Sequence, residues 1–153
     1  MAQEHIKLIA ENRKARHEYF IEDRFEAGLV LMGTEVKALR GGRANLKDSY
    51  AKFRKGELYI HQMHISPYPY AYYNNHDPLR TRKVLLHGHE LNQLLGKTKE
   101  RGYSLIPLRL YFKGARIKVE LGLAKGKRQY DKRQTIRKRD EQRDLERQRK
   151  DYK

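Results

Sequence analysis

The sequence contains no cysteine and no tryptophan among its 153 residues. The missing cysteines exclude disulfide bridges, thiolate zinc sites and cysteine nucleophiles. Long apolar runs are also missing, and the mean hydropathy is −1.00, so we expect no transmembrane helix. Residues 1–7 contain no apolar stretch of the length that a secretion signal needs. We therefore expect a cytoplasmic protein with no membrane association.

Negative charge is scarce, because 19 acidic residues stand against 35 lysines and arginines, giving a net charge of +16. Charged residues make up 35% of the chain, against about 25% in an average domain. A field of this sign and size predicts a polyanionic partner, which could be RNA, DNA or an anionic membrane surface. The length suits one domain with a tail.

The basic residues are divided between a body, residues 1–124, and a tail, residues 125–153. The tail carries 13 Lys/Arg and 6 Asp/Glu, a net charge of +7, and the body keeps +9. Only four sizeable apolar side chains lie in the tail, which is too few to offset the entropy of folding alone. Its residues are nevertheless mostly strong helix formers. We predict a tail that is disordered when free and helical when RNA neutralises its cations, although a merely solubilising tail remains open.

Two hairpins dominate the body. In residues 105–123, a two-residue Lys113-Gly114 turn would pair apolar residues on one face; the pairs are Phe112 with Ala115, Leu110 with Ile117, Leu108 with Val119, and Ile106 with Leu121. A second turn at Lys55-Gly56 would pair Arg54 with Glu57, Phe53 with Leu58, and Ala51 with Ile60.

Helical signals are fewer than strand signals. Residues 19–31 alternate loosely and predict one or two strands, whereas residues 89–99 carry leucines at helical spacing. Thr34 could cap a short helix that ends before Gly41-Gly42. The expected fold is mainly β: a small antiparallel OB-like β-barrel with two or three short helices and the basic, conditionally helical C-terminal tail.

Enzyme motifs are poor. Residues 122–127 have too few residues between their glycines for a phosphate-binding loop, and Arg128 stands where Ser or Thr would hold magnesium. The adjacent His17 and Glu18 would point to opposite faces of a strand. His87 and His89 lack a third ligand at metal spacing. We predict a protein that is not an enzyme and has no cofactor, no metal site and no catalytic residue.

RNA-binding features are stronger. Basic residues are concentrated in three places: within residues 12–19, on both sides of the Gly41-Gly42 turn, and within residues 80–83. Arginine at these places can present forked donors to phosphates. Tyrosines at positions 68, 70, 72 and 73 could stack on unpaired bases or pack on the barrel, and both interpretations stay open. The predicted RNA contacts in these stretches are Asn12, Lys14, Arg16, His17, Lys37, Arg40, Arg43, Arg80, Arg82 and Lys83.

Seven short motifs, in order, resemble the tmRNA-binding family known as small protein B or SsrA-binding protein. They are NRKARHEYF at 12–20, FEAG at 25–28, GTEVKALR at 33–40, DSY at 48–50, DPLRTRKVLL at 77–86, GLAKGK at 122–127 and DKR at 131–133. The resemblance implies an RNA-binding adaptor of trans-translation, whose OB-like barrel binds the tRNA-like domain of tmRNA.

The resemblance also implies a role for the tail on ribosomes stalled on mRNA without a stop codon. There the tail would fold in the empty mRNA channel, against small-subunit rRNA at the decoding centre, and tmRNA delivered with elongation factor Tu would enter without a codon. The resemblance implies that a degradation tag is then added and the ribosome is released. The expected tail contacts are Lys125, Lys127, Arg128, Tyr130, Asp131, Lys132 and Arg133, with Tyr130 standing where some relatives have histidine.

Three body residues gain a role through the resemblance alone. Glu26 would otherwise be interpreted as a solvated strand residue, and it matches the acidic barrel position linked to tmRNA binding. Leu85 and His87 match the region before the second predicted helix with the same role. Two other interpretations remain: a ribosomal or initiation-factor-like OB protein, and an RNA hydrolase using His17 or His87. We expect a monomer.

Overall fold

A computed structural model describes residues 5–100, 102–126 and 143. Nine strands and three helices form within residues 5–126. The strands are β1 (Ile6–Glu11), β2 (Tyr19–Leu29), β3 (Ala44–Asn45), β4 (Tyr50–Arg54), β5 (Glu57–His61), β6 (His64–Ile65), β7 (Arg82–Leu85), β8 (Tyr103–Lys113) and β9 (Arg116–Gly126). The helices are α1 (Arg13–Glu18), α2 (Gly33–Arg40) and α3 (Gly88–Thr98).

Six strands close into a ring in the order β8-β4-β5-β7-β2-β9, and β9 returns to β8. Every pairing in the ring is antiparallel. β1 pairs with the second half of β8, outside the ring, while β3 and β6 form a separate two-stranded ladder. This closed arrangement confirms the predicted OB-like barrel.

The Lys55-Gly56 hairpin has the predicted register, with Arg54 opposite Glu57 and Phe53 opposite Leu58. Lys55 and Gly56 both have positive φ, 51° and 78°, as a type I′ turn requires at its two central positions.

The predicted register of the longer hairpin is wrong. Its turn is Gly114-Ala115, so that Lys113 faces Arg116 and Leu110 faces Val119. Gly114 has a φ of 60° and occupies the first central position, where a type II′ turn needs glycine. The pairing still keeps Phe112 and Leu110 on the apolar face, because between the turn and Arg109 each partner moves by two residues, and two residues is the period of a strand.

An irregularity in β8 between Pro107 and Arg109 exchanges the two faces of the strand. Leu105 and Leu110 therefore both reach the barrel interior, whereas Leu108 packs in a second cluster with Ala15 and Ala124. Gly122 makes this possible, since a Cβ there would lie 2.8 Å from Leu108 Cδ1. One strand thus serves two small cores.

The helices differ from the sequence expectation in two details. α2 ends before Gly41 as predicted, but its N-cap is Met32 rather than Thr34, and Glu35 accepts a hydrogen bond from the Met32 amide at 2.8 Å. Residues 13–18 are helical, so His17 and Glu18 are not on a strand. Asn12 favours this short helix because its side chain accepts a hydrogen bond from the Ala15 amide.

Candidate nucleic-acid interface

Glu26 lies on the outer surface of the barrel, held by two side chains of β8. Tyr111 donates its hydroxyl to one carboxylate oxygen at 2.6 Å, and Lys113 Nζ lies 3.0 Å from the other. These hydrogen bonds, with the charges of Lys113 and Lys118, hold the pKa of Glu26 below its ordinary value despite some desolvation. Burial and the same carboxylate raise the pKa of Tyr111. Glu26 is therefore an ionised acceptor with a fixed orientation.

The pairing register puts a second carboxylate beside the first. Glu120 on β9 faces Glu26 directly, an arrangement that costs energy unless each charge has its own partner. Arg109 supplies that partner at 2.5 Å and Arg24 lies 3.6 Å away. Arg109 also lies over the Tyr111 ring, 5.6 Å from its centroid. The two carboxylates are thus neutralised separately.

A row of residues crosses four strands next to Glu26. Leu85 on β7 faces Gly28 on β2, Gly28 faces Lys118 on β9, and Lys118 faces Tyr111 on β8. Gly28 is partly exposed and has no side chain, so the half-exposed Leu85 packs against it: a Cβ added at Gly28 would lie 3.4 Å from Leu85 Cβ. We call the surface formed by Gly28, Glu26, Leu85, Lys118, Tyr111 and Lys113 the Glu26 face.

Lys83 extends the same outer surface of β7. It lies 3.1 Å from Glu57 on the neighbouring strand β5, and its carbonyl accepts a hydrogen bond from the Val30 amide at 3.0 Å. Residues 83 and 85 are two apart on one strand, so both side chains point outward. The structure therefore places three predicted sites on one outer surface of the barrel: Glu26, Lys83 and Leu85. His87 follows as the exposed N-cap of α3 and stacks on His89, with ring centroids 5.7 Å apart.

The Gly41-Gly42 turn carries a second basic group. Lys37, Arg40 and Arg43 are all exposed around the end of α2. Lys37 Nζ lies 5.5 Å from the centre of the Tyr68 ring, in the segment between β6 and β7. Within the described part of the chain, none of these three cations has an acidic partner.

The residues predicted around α1 divide into one buried and three exposed side chains. Asn12 is buried, and its Nδ2 donates to the carbonyl oxygens of Leu46 and Pro107 at 3.2 and 3.0 Å. Lys14, Arg16 and His17 are exposed. Lys14 lies 3.3 Å from Asp48, and Arg16 lies 2.9 Å from Glu11. The burial of Asn12 corrects its prediction as an RNA contact, because its side chain binds the backbone of two neighbouring segments instead.

Arg82 corrects the sequence analysis, because it is completely buried and cannot contact RNA in this structure. It pairs with Glu35, which is equally buried, and donates to the Met63 carbonyl at 2.5 Å. Arg80 reaches the same carboxylate at 2.6 Å from a more exposed position. Burial opposes ionisation of Glu35, but hydrogen bonds from Arg80, the Met32 amide and Arg82 outweigh it and lower its pKa. The stretch at 80–83 thus leads into β7, which begins at Arg82, and does not enter a helix.

Comparison with known proteins decides the family. The family model described as SmpB protein matches residues 9–151. The chain belongs to the SmpB family. The SsrA-binding protein of Geobacillus thermodenitrificans (strain NG80-2) is 61% identical over 141 residues, covering 92% of this chain and 91% of the relative. That of Bacillus subtilis (strain 168) is 55% identical, covering 92% and 90%.

A solved structure extends the likeness to the fold. One chain of the structure described as "tmRNA-SmpB: a journey to the center of the bacterial ribosome" superimposes with a TM-score of 0.65 at 51% identity, covering 76% of this chain and 82% of that chain. The family resemblance predicted from the sequence is therefore confirmed, and with it the OB-like barrel.

Sequence reasoning missed the partners that hold Glu26 in this SmpB barrel. Tyr111, Lys113 and Lys118 point outward from β8 and β9, and only the correct hairpin register places Lys118 directly opposite Tyr111. Of the predicted tail contacts, Lys125 lies in β9 with its Nζ 5.3 Å from the Tyr103 ring centre. The others lie outside the described residues: Lys127, Arg128, Tyr130, Asp131, Lys132 and Arg133.

Neither a metal site nor a membrane span is found in the part of the chain that the structure describes. Within it, no group of three or more His, Asp or Glu side chains is arranged to hold a metal ion. No helix among the same residues has the length and hydrophobicity needed to cross a bilayer.

Proposed function

We propose that this chain is a tmRNA-binding adaptor that acts on the ribosome in trans-translation. The observation that carries the proposal is its membership of the SmpB family, with relatives named for SsrA binding and a likeness to the SmpB of a tmRNA–SmpB ribosome structure. This function makes it an RNA-binding protein and not an enzyme.

The Glu26 face suits recognition of a folded RNA. An ionised, oriented carboxylate can accept hydrogen bonds from a base amino group or a ribose hydroxyl. Lys118 and Lys113 lie beside it, where they can contact phosphates. Gly28 is partly exposed and has no side chain, which lets a sugar or base approach the backbone closely. We therefore assign the tRNA-like domain of tmRNA to this face, with Lys83, Leu85 and His87 at its border.

The other exposed cations would bind RNA backbone. We assign Lys14, Arg16 and His17 on α1, and Lys37, Arg40, Arg43 and Arg80, to phosphate contacts that position the complex. The chain that follows β9, residues 127–153, would enter the empty mRNA channel and allow tmRNA, delivered with elongation factor Tu, to be accepted without a codon. The proposed contacts with small-subunit rRNA are Lys125 at the end of β9 and, beyond it, Lys127, Arg128, Tyr130, Asp131, Lys132 and Arg133.

The test is binding of the full-length protein to the tRNA-like domain of tmRNA, with ordinary tRNA as competitor across a salt series. A preference for tmRNA that persists as salt weakens the phosphate contribution supports shape-specific recognition. Equal competition by tRNA, with a parallel loss in salt, would instead favour a general OB-fold RNA-binding protein.

Glu26 and Glu57 provide a matched pair of variants. Each carboxylate accepts a tyrosine hydroxyl and a lysine: Tyr111 and Lys113 for Glu26 at 2.6 and 3.0 Å, Tyr59 and Lys83 for Glu57 at 2.7 and 3.1 Å. Glu26→Gln should weaken tmRNA binding by about tenfold, the loss of one charge-assisted hydrogen bond. Glu57→Gln should not weaken it. Equal losses in the two variants would remove Glu26 from the interface.

A further inference from the structure

The segment between β6 and β7 exposes three aromatic rings. Tyr70 is 76% exposed, Tyr72 92% and Tyr73 87%. Removing large aromatic side chains from water is energetically favourable. Three exposed rings close together in the sequence therefore mark a binding surface. Within the described residues, neither Tyr72 nor Tyr73 contacts another ring or a charged group.

The loop that carries these rings is tied closed at its base. Asn75 accepts a hydrogen bond from the Tyr68 amide at 3.2 Å and donates one to the Tyr68 carbonyl at 3.0 Å. His76 is buried between Thr34 Oγ1 on α2, at 2.9 Å, and the Ile65 carbonyl, at 2.8 Å. The rings are therefore displayed by an anchored loop, which reduces the entropy lost when a ligand binds.

Charge beside the loop indicates the chemistry of that ligand. Lys37 lies over the Tyr68 ring, and Tyr70 contacts the same ring edge-on with centroids 5.5 Å apart. Arg40 and Arg43 are exposed at the end of the helix to which His76 ties the loop. Aromatic rings next to cations that lack acidic partners in the described part of the chain match RNA, in which bases stack and phosphates pair with the cations.

We propose that Tyr72 and Tyr73, together with the exposed Tyr70, form a platform that stacks on unpaired bases of tmRNA. Arg80, which follows the loop, donates to the Val30 carbonyl at 3.0 Å, and the Val30 amide donates to the carbonyl of Lys83, a neighbour of Leu85 on β7. The same RNA would engage the platform and the Glu26 face. This inference rests on the proposed function and adds a second, stacking site to it.

A tryptophan reporter tests the contact directly. Since the chain contains no tryptophan, Tyr72→Trp introduces a single tryptophan, which can be excited selectively at the red edge of tyrosine absorption and which retains the aromatic surface. Saturating tmRNA should quench its emission and protect it from acrylamide. Gln93→Trp on the exposed surface of α3 is the control, and its accessibility to acrylamide should stay unchanged. A fluorophore at position 72 that remains accessible in the complex, or that is protected by ribosomes and not by tmRNA, overturns the proposal.

Affinity measurements separate stacking from charge. The double variant Tyr72→Leu/Tyr73→Leu should bind tmRNA roughly 10- to 100-fold more weakly, while Tyr72→Phe/Tyr73→Phe should bind like the wild type, because phenylalanine keeps the stacking face. The salt dependence should be unaltered in both, whereas Lys37→Gln should reduce the slope of log affinity against log salt by about one. Unchanged affinity in the leucine variant refutes the platform alone. Failure of the wild type to prefer tmRNA over tRNA refutes the proposed function itself.

Discussion

The buried pair of Arg82 and Glu35 makes a prediction in which stability and RNA binding separate. Both side chains are fully buried, and Arg82 additionally donates to the carbonyls of Met63 and Pro78. Arg82→Met removes one partner and leaves Glu35 with Arg80 as its only cation within the described residues. Breaking a buried pair costs about 3–5 kcal/mol when the remaining charge has no other partner. Because Glu35 keeps Arg80, we expect a loss near the lower end of that range, which is still a large part of the roughly 5–15 kcal/mol that stabilises a domain.

Urea unfolding followed by far-ultraviolet circular dichroism measures that loss. Lys83→Met is the matched control, because its ion pair with Glu57 is largely exposed and should contribute at most about 1 kcal/mol. The double variant Glu35→Gln/Arg82→Met removes both charges and should lose less than the two single variants summed. If Arg82→Met kept wild-type stability and bound tmRNA more weakly, the assignment of Arg82 to the core would be refuted.

Three further predictions concern pH, Gly28 and the tail. The lowered pKa of Glu35 contributes stability above its unfolded value, near 4.5, and that stability disappears as pH falls through the lower folded value. Glu35→Gln should therefore lose less unfolding free energy than the wild type when the pH is lowered from above 4.5 to below it. Gly28→Ala should fold normally, since its Cβ would lie 3.4 Å from Leu85 Cβ, yet should bind tmRNA measurably more weakly in a fluorescence anisotropy titration, because the added methyl group keeps RNA further from the backbone. Removing residues 127–153 should leave most tmRNA affinity and abolish tagging in a reconstituted assay with stalled ribosomes; a parallel loss of both would contradict two separable parts.

Local chemistry explains which parts of the fold are predictable. The position of the Lys55-Gly56 turn follows from the sequence, because few residue pairs accept positive φ at both central positions. Gly114 can occupy either position of a two-residue turn, so the sequence places its hairpin one residue too early. The irregularity at Leu108 then depends on packing against Gly122, which no local pattern encodes.

The site is less predictable than the fold, for a related reason. Glu26 lies 85 and 87 residues from the side chains that orient it, so only the family resemblance singles it out. In the sequence, Arg82 cannot be distinguished from its more exposed neighbours, because a count of charges contains no information about burial. Its partner Glu35 is 47 residues away, and the pair becomes visible only after β7 joins the barrel.

Ring closure also determines when during folding the Glu26 face comes into existence. β2 pairs with β9, joining residues 19–28 to residues 118–126, and such distant pairings form slowly, typically in milliseconds to seconds for β-rich domains. Until they form, Glu26 has neither Tyr111 nor Lys113 beside it, although the chain already carries its full positive charge. An incompletely folded chain would thus attract nucleic acid without discrimination, and selectivity for one RNA would arise only with the final strand.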